Sequence, residues 1–187
     1  MSYELKSARY LAREILSCAV QSGDTVIDAT MGNGHDTLFL AEQVGETGHV
    51  YAFDIQAAAL NNTRERTSDY ASRIEYVLRS HAEIAAVVQE NIDVAVFNLG
   101  YLPGEGHIVT TEQDSTRSAV EQVLGKLNLN GVCIIVAYPG HAAGAREAEM
   151  LEDFLGSLPK KDYTVGCYRL VNHAKTAPYA YIVEKVR

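Results

Sequence analysis

Short β-branched runs alternate with longer segments of helical period along this chain, and that alternation restricts the fold more than any other feature. Thr25 to Asp28, His49 to Asp54, residues 74 to 79, residues 92 to 98 and Val132 to Tyr138 read as strands. They are apolar runs rather than polar-apolar alternations, which is the pattern of a parallel sheet buried on both faces. Between them lie helical segments. Residues 5 to 21 set Leu5, Ala8, Leu11, Ala12, Ile15, Leu16 and Ala19 on one face, and 35 to 44, 56 to 71, 82 to 88, 112 to 127 and 142 to 156 continue the series. The helix over 112–127 is read as ending at Leu129-Asn130-Gly131. The last two runs, 162–171 and 179–185, have no helix between them and are expected to pair antiparallel. The pattern as a whole predicts an α/β fold with helices on both faces of a mostly parallel sheet.

The 187 residues contain no repeat and no Pro/Ser/Gly linker, so 1–187 reads as a single domain. The longest apolar stretch is Val132 to Tyr138, against the roughly 18 residues of a membrane helix. The first residues show no basic segment leading into an apolar run, and a soluble cytoplasmic protein is expected. Cys18, Cys133 and Cys167 each sit in an apolar periodic segment and none forms a CxxC pair. Buried, reduced thiols are therefore expected, with no disulfide framework and no metal site. A net charge of -8 argues against a protein that sheathes nucleic acid in lysines, and leaves room only for a local basic patch.

The strongest local signal is Val26-Ile27-Asp28-Ala29-Thr30-Met31-Gly32-Asn33-Gly34-His35-Asp36-Thr37, an apolar strand that ends in an acid and passes through two glycines into a helix. Glycines at the carboxyl end of such a strand let a ligand approach the backbone. A dinucleotide fingerprint needs a third small residue, and Thr37 stands in that place. Asp28 would repel a pyrophosphate but suits the sulfonium and amino group of S-adenosylmethionine. A tight turn is the structural alternative for Gly32 and Gly34. Asp54, 26 residues after Asp28 at the next strand end, is placed to accept two ribose hydroxyls.

Ser80-His81 borders the expected adenine position, with capping of the helix from Ala82 as the alternative for Ser80. Asn98-Leu99-Gly100-Tyr101-Leu102-Pro103-Gly104 follows the fourth strand, and Tyr138-Pro139-Gly140-His141 the fifth; both turns face the same crevice. His141 is a candidate proton acceptor or an ordinary hydrogen-bonded loop residue. The segment from Arg169 to Pro178, with Lys160 and Lys161, is the candidate phosphate-contacting patch. No cysteine lies in a candidate site loop, so pyrimidine carbon methylation through a cysteine adduct is disfavoured. A nitrogen acceptor already has the lone pair it needs, and positioning with desolvation suffices for it.

The ordered set VIDATMGNGHDT, YAFDIQ, RSHAEI, NLGYLPG, AYPGH and NHAKTAP resembles the small bacterial class I methyltransferases described as rRNA methylases, over nearly the whole chain. The resemblance implies a Rossmann-like seven-stranded sheet of order 3-2-1-4-5-7-6 and S-adenosylmethionine as cofactor. It implies tRNA rather than rRNA as partner, with N-methylation of the 5-aminomethyl group of wobble 2-thiouridine. It puts Gly32, Asn33, Gly34 and Asp36 at the methionine end beside Asp28 and Thr30, Asp54 and Gln56 at the ribose, and Ser80 and His81 near adenine. Asn98, Tyr138 and His141 become the catalytic candidates. Tyr101, Leu102, Pro103, Asn172, His173 and Lys175 become the substrate contacts. Gly104-Glu105-Gly106-His107 departs from the family's Gly-Gly-Asp-Lys, and 173–178 has fewer amides than the family pattern. A homodimer would join two basic patches. An rRNA or metabolite methyltransferase, and a non-catalytic nucleoside-binding or RNA-binding module, are the alternative readings.

Overall fold

The computed structural model describes residues 7–100 and 113–187. Leu5 and the loop residues Tyr101, Leu102 and Pro103, with 104–107, lie outside the described residues. In chain order the elements are α1 (Ala8–Ala19), β1 (Thr25–Asp28), α2 (His35–Gln43), β2 (His49–Asp54), α3 (Ala57–Arg66) and β3 (Ile74–Leu78). There follow α4 (Ile84–Val87), β4 (Ile92–Asn98), α5 (Gln113–Lys126), β5 (Leu127–Ala137), α6 (Ala142–Gly156), β6 (Tyr163–Tyr168) and β7 (Tyr179–Lys185). No described helix is long and apolar enough to cross a membrane.

The seven strands form one sheet in the order β3-β2-β1-β4-β5-β7-β6. β1 to β5 run parallel to one another, and β7 is antiparallel to both β5 and β6. The sheet is sandwiched, and the strands explain why. Ile27, Phe53, Phe97 and Ile135 pack against α5 and α6 on one face, while their neighbours Val26, Ala52, Val96 and Ile134 pack against α1 and α2 on the other. Successive side chains point to opposite faces, so a strand buried on both sides must be apolar at every position. The chain winds from β1 outward to β3 and returns to β4 on β1's other side, which opens a crevice at the carboxyl ends of β1 and β4.

Three expectations are corrected. The segment 56–71 is not one helix: α3 stops at Arg66 and a 3-10 turn runs over Ser68–Arg73. The Thr67 hydroxyl lies 2.7 Å from both the Thr63 carbonyl, to which it donates, and the Tyr76 hydroxyl, and it ends the helix there. Residues 127–131 are not the tail of α5 but the start of β5. Asn128 Nδ2 donates to Asp93 Oδ1 at 2.7 Å, Lys185 Nζ donates to the Leu127 carbonyl at 2.7 Å, and the irregular register against β4 is absorbed by Asn130 at φ 65°. These partners are distant in sequence and override the local end-of-helix signal. Of the thiols only Cys133 is buried; Cys18 lies on the outer side of α1 and Cys167 on the edge strand β6.

Asp93 carries this stitch, because its second oxygen accepts the Thr25 N–H at 3.0 Å and so joins the start of β1 to β4 and β5. Asp93→Ala leaves that donor and the Asn128 amide without their acceptor, and is expected to cost about 1–3 kcal/mol in urea denaturation. A change under about 0.5 kcal/mol, the usual range for a surface substitution, would contradict this reading.

Candidate active site

The crevice is organised from the carboxylate at the end of β1. Asp28 is 1% exposed; Thr37 Oγ1 donates to one of its oxygens at 2.6 Å and the Thr30 N–H to the other at 3.1 Å. Thr37, the residue that departs from the dinucleotide pattern, thus pins the first turn of α2 to β1. Asp28 lies beneath the glycine turn rather than at its surface. Burial is the main cause that raises its pKa, with the charge of Asp36 next, to about 7.

Above it the chain turns through Gly32 and Gly34 at φ 49° and 77°. At Gly34 a Cβ would stand 2.8 Å from the Thr63 Cα, so both the backbone angle and the close approach of α3 call for glycine. Thr63 Oγ1 donates to the Gly32 carbonyl at 3.1 Å, Arg66 Nε to the Asn33 carbonyl at 2.6 Å, and Asn62 Nδ2 to Asn33 Oδ1 at 2.9 Å. The turn is therefore held from α3 as well as from β1.

Asp54 caps β2 at the same edge. Its two oxygens accept the Gly32 N–H at 3.1 Å and the Gln56 N–H at 3.0 Å, which fixes the carboxylate and leaves each oxygen a further lone pair. Ser80 takes the capping role, accepting the Ala82 N–H at 3.2 Å. His81 is buried, with Nδ1 3.2 Å from the Ala29 carbonyl and Nε2 without a hydrogen-bond partner among the described residues. Burial lowers its pKa against the opposing pull of the Ala29 carbonyl and Asp54, so the ring is neutral at pH 7. A neutral ring donating from Nδ1 presents Nε2 as an acceptor.

On the β4 and β5 side, the Tyr138 hydroxyl donates to Asn98 Oδ1 at 2.8 Å and Asn98 Nδ2 donates to Asp36 Oδ2 at 2.5 Å. Arg13 Nη1 stands 3.7 Å from the other Asp36 oxygen, and the Asn98 N–H donates to Thr30 Oγ1 at 2.8 Å. Burial pushes the Tyr138 phenol up, so it is a donor and not a base at neutral pH. Asn98 keeps one carbonyl lone pair and one amide N–H for a ligand. His141 is the N-cap of α6, its Nδ1 accepting the Gly144 N–H at 3.1 Å. With Nδ1 engaged as an acceptor, the neutral ring carries its proton on Nε2.

The expected basic patch is different from its sequence reading. Arg169 stacks 4.2 Å from the Tyr179 ring centroid and pairs with Glu152 at 3.7 Å. A cavity of about 360 Å³ there brings Lys175 to Pro139 but is also lined by Glu149, Glu152 and Asp153. Acids offset the bases, so this segment is a mixed surface. Asn172 and His173 are exposed on the same loop. The arginines that do approach the crevice, Arg13 and Arg66, escaped the sequence reading, because their partners Asp36 and the Asn33 carbonyl lie far from them along the chain.

Residues 50–184 match the family described as "Putative rRNA methylase". A curated Arabidopsis thaliana protein named "tRNA (mnm(5)s(2)U34)-methyltransferase, chloroplastic" is 34% identical over 179 residues, covering 89% of this chain. The chain spans 65% of that relative's length. Among solved structures, a "putative rRNA-methylase" from Clostridium thermocellum superposes with a TM-score of 0.96 at 32% identity, over 98% of this chain and 100% of that one. A "putative methyltransferase" from Streptococcus mutans in complex with SAH gives 0.89 at 33% identity over the same shares. The seven-stranded order is that of class I methyltransferases.

Asp28 generates a pH prediction. Its folded pKa of about 7 lies above the ordinary 3.8, so between these values the folded chain binds more protons than the unfolded one. Stability from this group is then fully present below pH 3.8 and declines as pH rises to about 7. Asp28→Asn is expected to flatten the stability-pH curve across that window, read by urea denaturation at a series of pH values. An unchanged slope would refute the assignment.

Proposed function

As the chain belongs to the rRNA methylase family, we propose that it is an S-adenosylmethionine-dependent RNA N-methyltransferase acting as a single domain over 1–187. Its acceptor is the 5-aminomethyl group of wobble 2-thiouridine in tRNA, and its product the 5-methylaminomethyl nucleoside. The carrying observation is the Tyr138–Asn98–Asp36 hydrogen-bond chain at the end of β4, beside the Asp54 and glycine-turn edge. The Arabidopsis relative's name supports the choice of nucleoside.

The residues fit the cofactor. Asp54 has the free lone pairs that two ribose hydroxyls need, His81 Nε2 is a buried acceptor suited to an exocyclic amine, and Gly32 and Gly34 expose backbone at the turn. Asp36, partly exposed at the crevice, favours a cationic ligand in its field, while Asp28 beneath it shapes the turn. When bound, S-adenosylmethionine supplies a methyl group on a positively charged sulfur.

Asn98 accepts an N–H of the substrate amine through its remaining carbonyl lone pair, which turns the nitrogen's own lone pair away from the amide. Tyr138 and Asp36 hold that amide in one orientation from both ends. Catalysis is then positioning with exclusion of water, and the product ammonium loses its proton afterwards. His141 holds the β5–α6 turn in shape.

The reading is tested by incubating the protein with labelled S-adenosylmethionine and tRNA from a strain lacking this gene, followed by nucleoside mass spectrometry. One added methyl on 5-aminomethyl-2-thiouridine is expected; a methyl found only on rRNA or a metabolite would move the substrate. Asp54→Ala is expected to abolish S-adenosylhomocysteine binding in calorimetry while the circular dichroism spectrum is kept, and unchanged affinity would remove Asp54 from the site. His141→Ala is expected to lose about 1 kcal/mol of stability with the cap. Its transfer rate should keep the wild-type pH profile, and loss of the low-pH limb, where the rate falls as a proton acceptor becomes protonated, would restore His141 to that role.

A further inference from the structure

The chain carries -8 overall, yet the charges acting on one exposed residue at the crevice mouth are mostly positive. His35 opens α2 directly after the glycine turn. Three arginines, Arg66, Arg9 and Arg13, and one carboxylate, Asp36, set the field there; burial first and then those arginines hold the imidazole below its usual pKa. The arginines come from two elements. Arg9 and Arg13 stand one turn apart on the exposed side of α1, and Arg66 ends α3.

Their placement is built. Arg13 lies 4.2 Å over the Phe39 ring centroid and 3.7 Å from Asp36, which in turn accepts from Asn98. Arg66 is fixed by the 2.6 Å bond its Nε donates to the Asn33 carbonyl, which uses one of the guanidinium's five donors. Arg9, one turn before Arg13 on the same exposed side of α1, sets a second cation beside it. Folding brings like charges together at some cost, and a polyanion repeating its charge along a strand relieves that cost over the whole cluster. A single carboxylate needs only one of them.

We propose that Arg9, Arg13 and Arg66 form the surface that holds the phosphate backbone of the RNA beside the acceptor nucleotide. The proposal rests on the RNA methyltransferase reading above. It places the RNA across α1 and the start of α2, away from Lys160, Lys161 and the mixed 169–178 loop. Arg13 then links the two tasks, because the guanidinium beside Asp36 is one hydrogen bond from Asn98.

The test measures binding of total tRNA by fluorescence anisotropy between about 50 and 200 mM salt. Wild type is compared with Arg9→Gln, Arg66→Gln, their double variant and a Lys160→Gln/Lys161→Gln control. Affinity should fall up to roughly fivefold for each arginine removed, and the log-log salt slope by roughly 0.7 per lost phosphate contact. Arg9→Lys should recover most of the slope, the lysine pair should change neither, and S-adenosylhomocysteine affinity of Arg9→Gln should match wild type. If wild type binds tRNA and the arginine variants bind equally well, or only the lysine pair weakens, the surface is misassigned while the RNA reading stands. If Arg9→Gln loses S-adenosylhomocysteine instead, the cluster serves the cofactor's carboxylate and the proposal is overturned. Wild type that binds S-adenosylhomocysteine but no RNA would overturn the RNA reading and this surface with it.

Discussion

A single buried carboxylate organises the functional edge of this sheet. Asp28 ends β1, an inner strand of the sheet, at a depth where a charged group is costly, and the chain answers with two donors from the segment that follows, the Thr37 hydroxyl and the Thr30 N–H. Each donor anchors something further. Thr37 fixes the first turn of α2, and Thr30 accepts the Asn98 N–H, so the ends of β1 and β4 are set by one cluster. Asn98 then carries the order outward to Asp36 and Tyr138. The crevice between β1 and β4 would exist in any doubly wound sheet; this cluster decides what points into it.

Most of the architecture was legible because its signals are local and repeated. Apolar runs separated by helical periods specify a two-faced sheet, and the absence of a helix between the last two runs specifies their antiparallel pairing. The glycine turn and Asp54 were legible for a chemical reason: few residue types tolerate φ 77° or end an apolar strand with a charge. What was not legible depends on partners far along the chain. Leu127 to Asn130 looks like a helix end until Asp93 and Lys185 supply bonds that make it a strand. Thr67 ends α3 partly through Tyr76, on the following strand. Cys18 and Cys167 sit in apolar segments whose exposed sides only the packing identifies.

Charge was the least legible property. Sequence locates the basic residues but not the acids that fold beside them. The run around Arg169 looked basic, yet Glu149, Glu152 and Asp153 on α6 meet it in space. Arg13 and Arg66, more than fifty positions apart, fold onto the two sides of α2's first turn, one beside Asp36 and the other on the Asn33 carbonyl, and Arg9 stands one turn from Arg13 on α1. An acidic chain can therefore present a positive field over a small area, and electrostatics acting within a Debye length of about 10 Å respond to that local arrangement rather than to the total.

The same local arrangement governs the acids of the site, and bears on the proposed RNA partner. Asp28 is buried and pushed up to about 7, so at neutral pH it carries only part of a charge. Asp54 has a backbone N–H on each oxygen, which offsets its charge. Asp36 faces Arg13 on one side and the Asn98 amide on the other. Each carboxylate is thus offset before any ligand arrives, by protonation, by backbone dipoles or by a guanidinium. Arg13, exposed on α1, reaches to 3.7 Å from the Asp36 carboxylate, so basic and acidic groups of the proposed site stand side by side. A cationic cofactor and an anionic substrate, as proposed, would each meet a group of opposite sign within one small crevice, where the low effective dielectric strengthens both attractions.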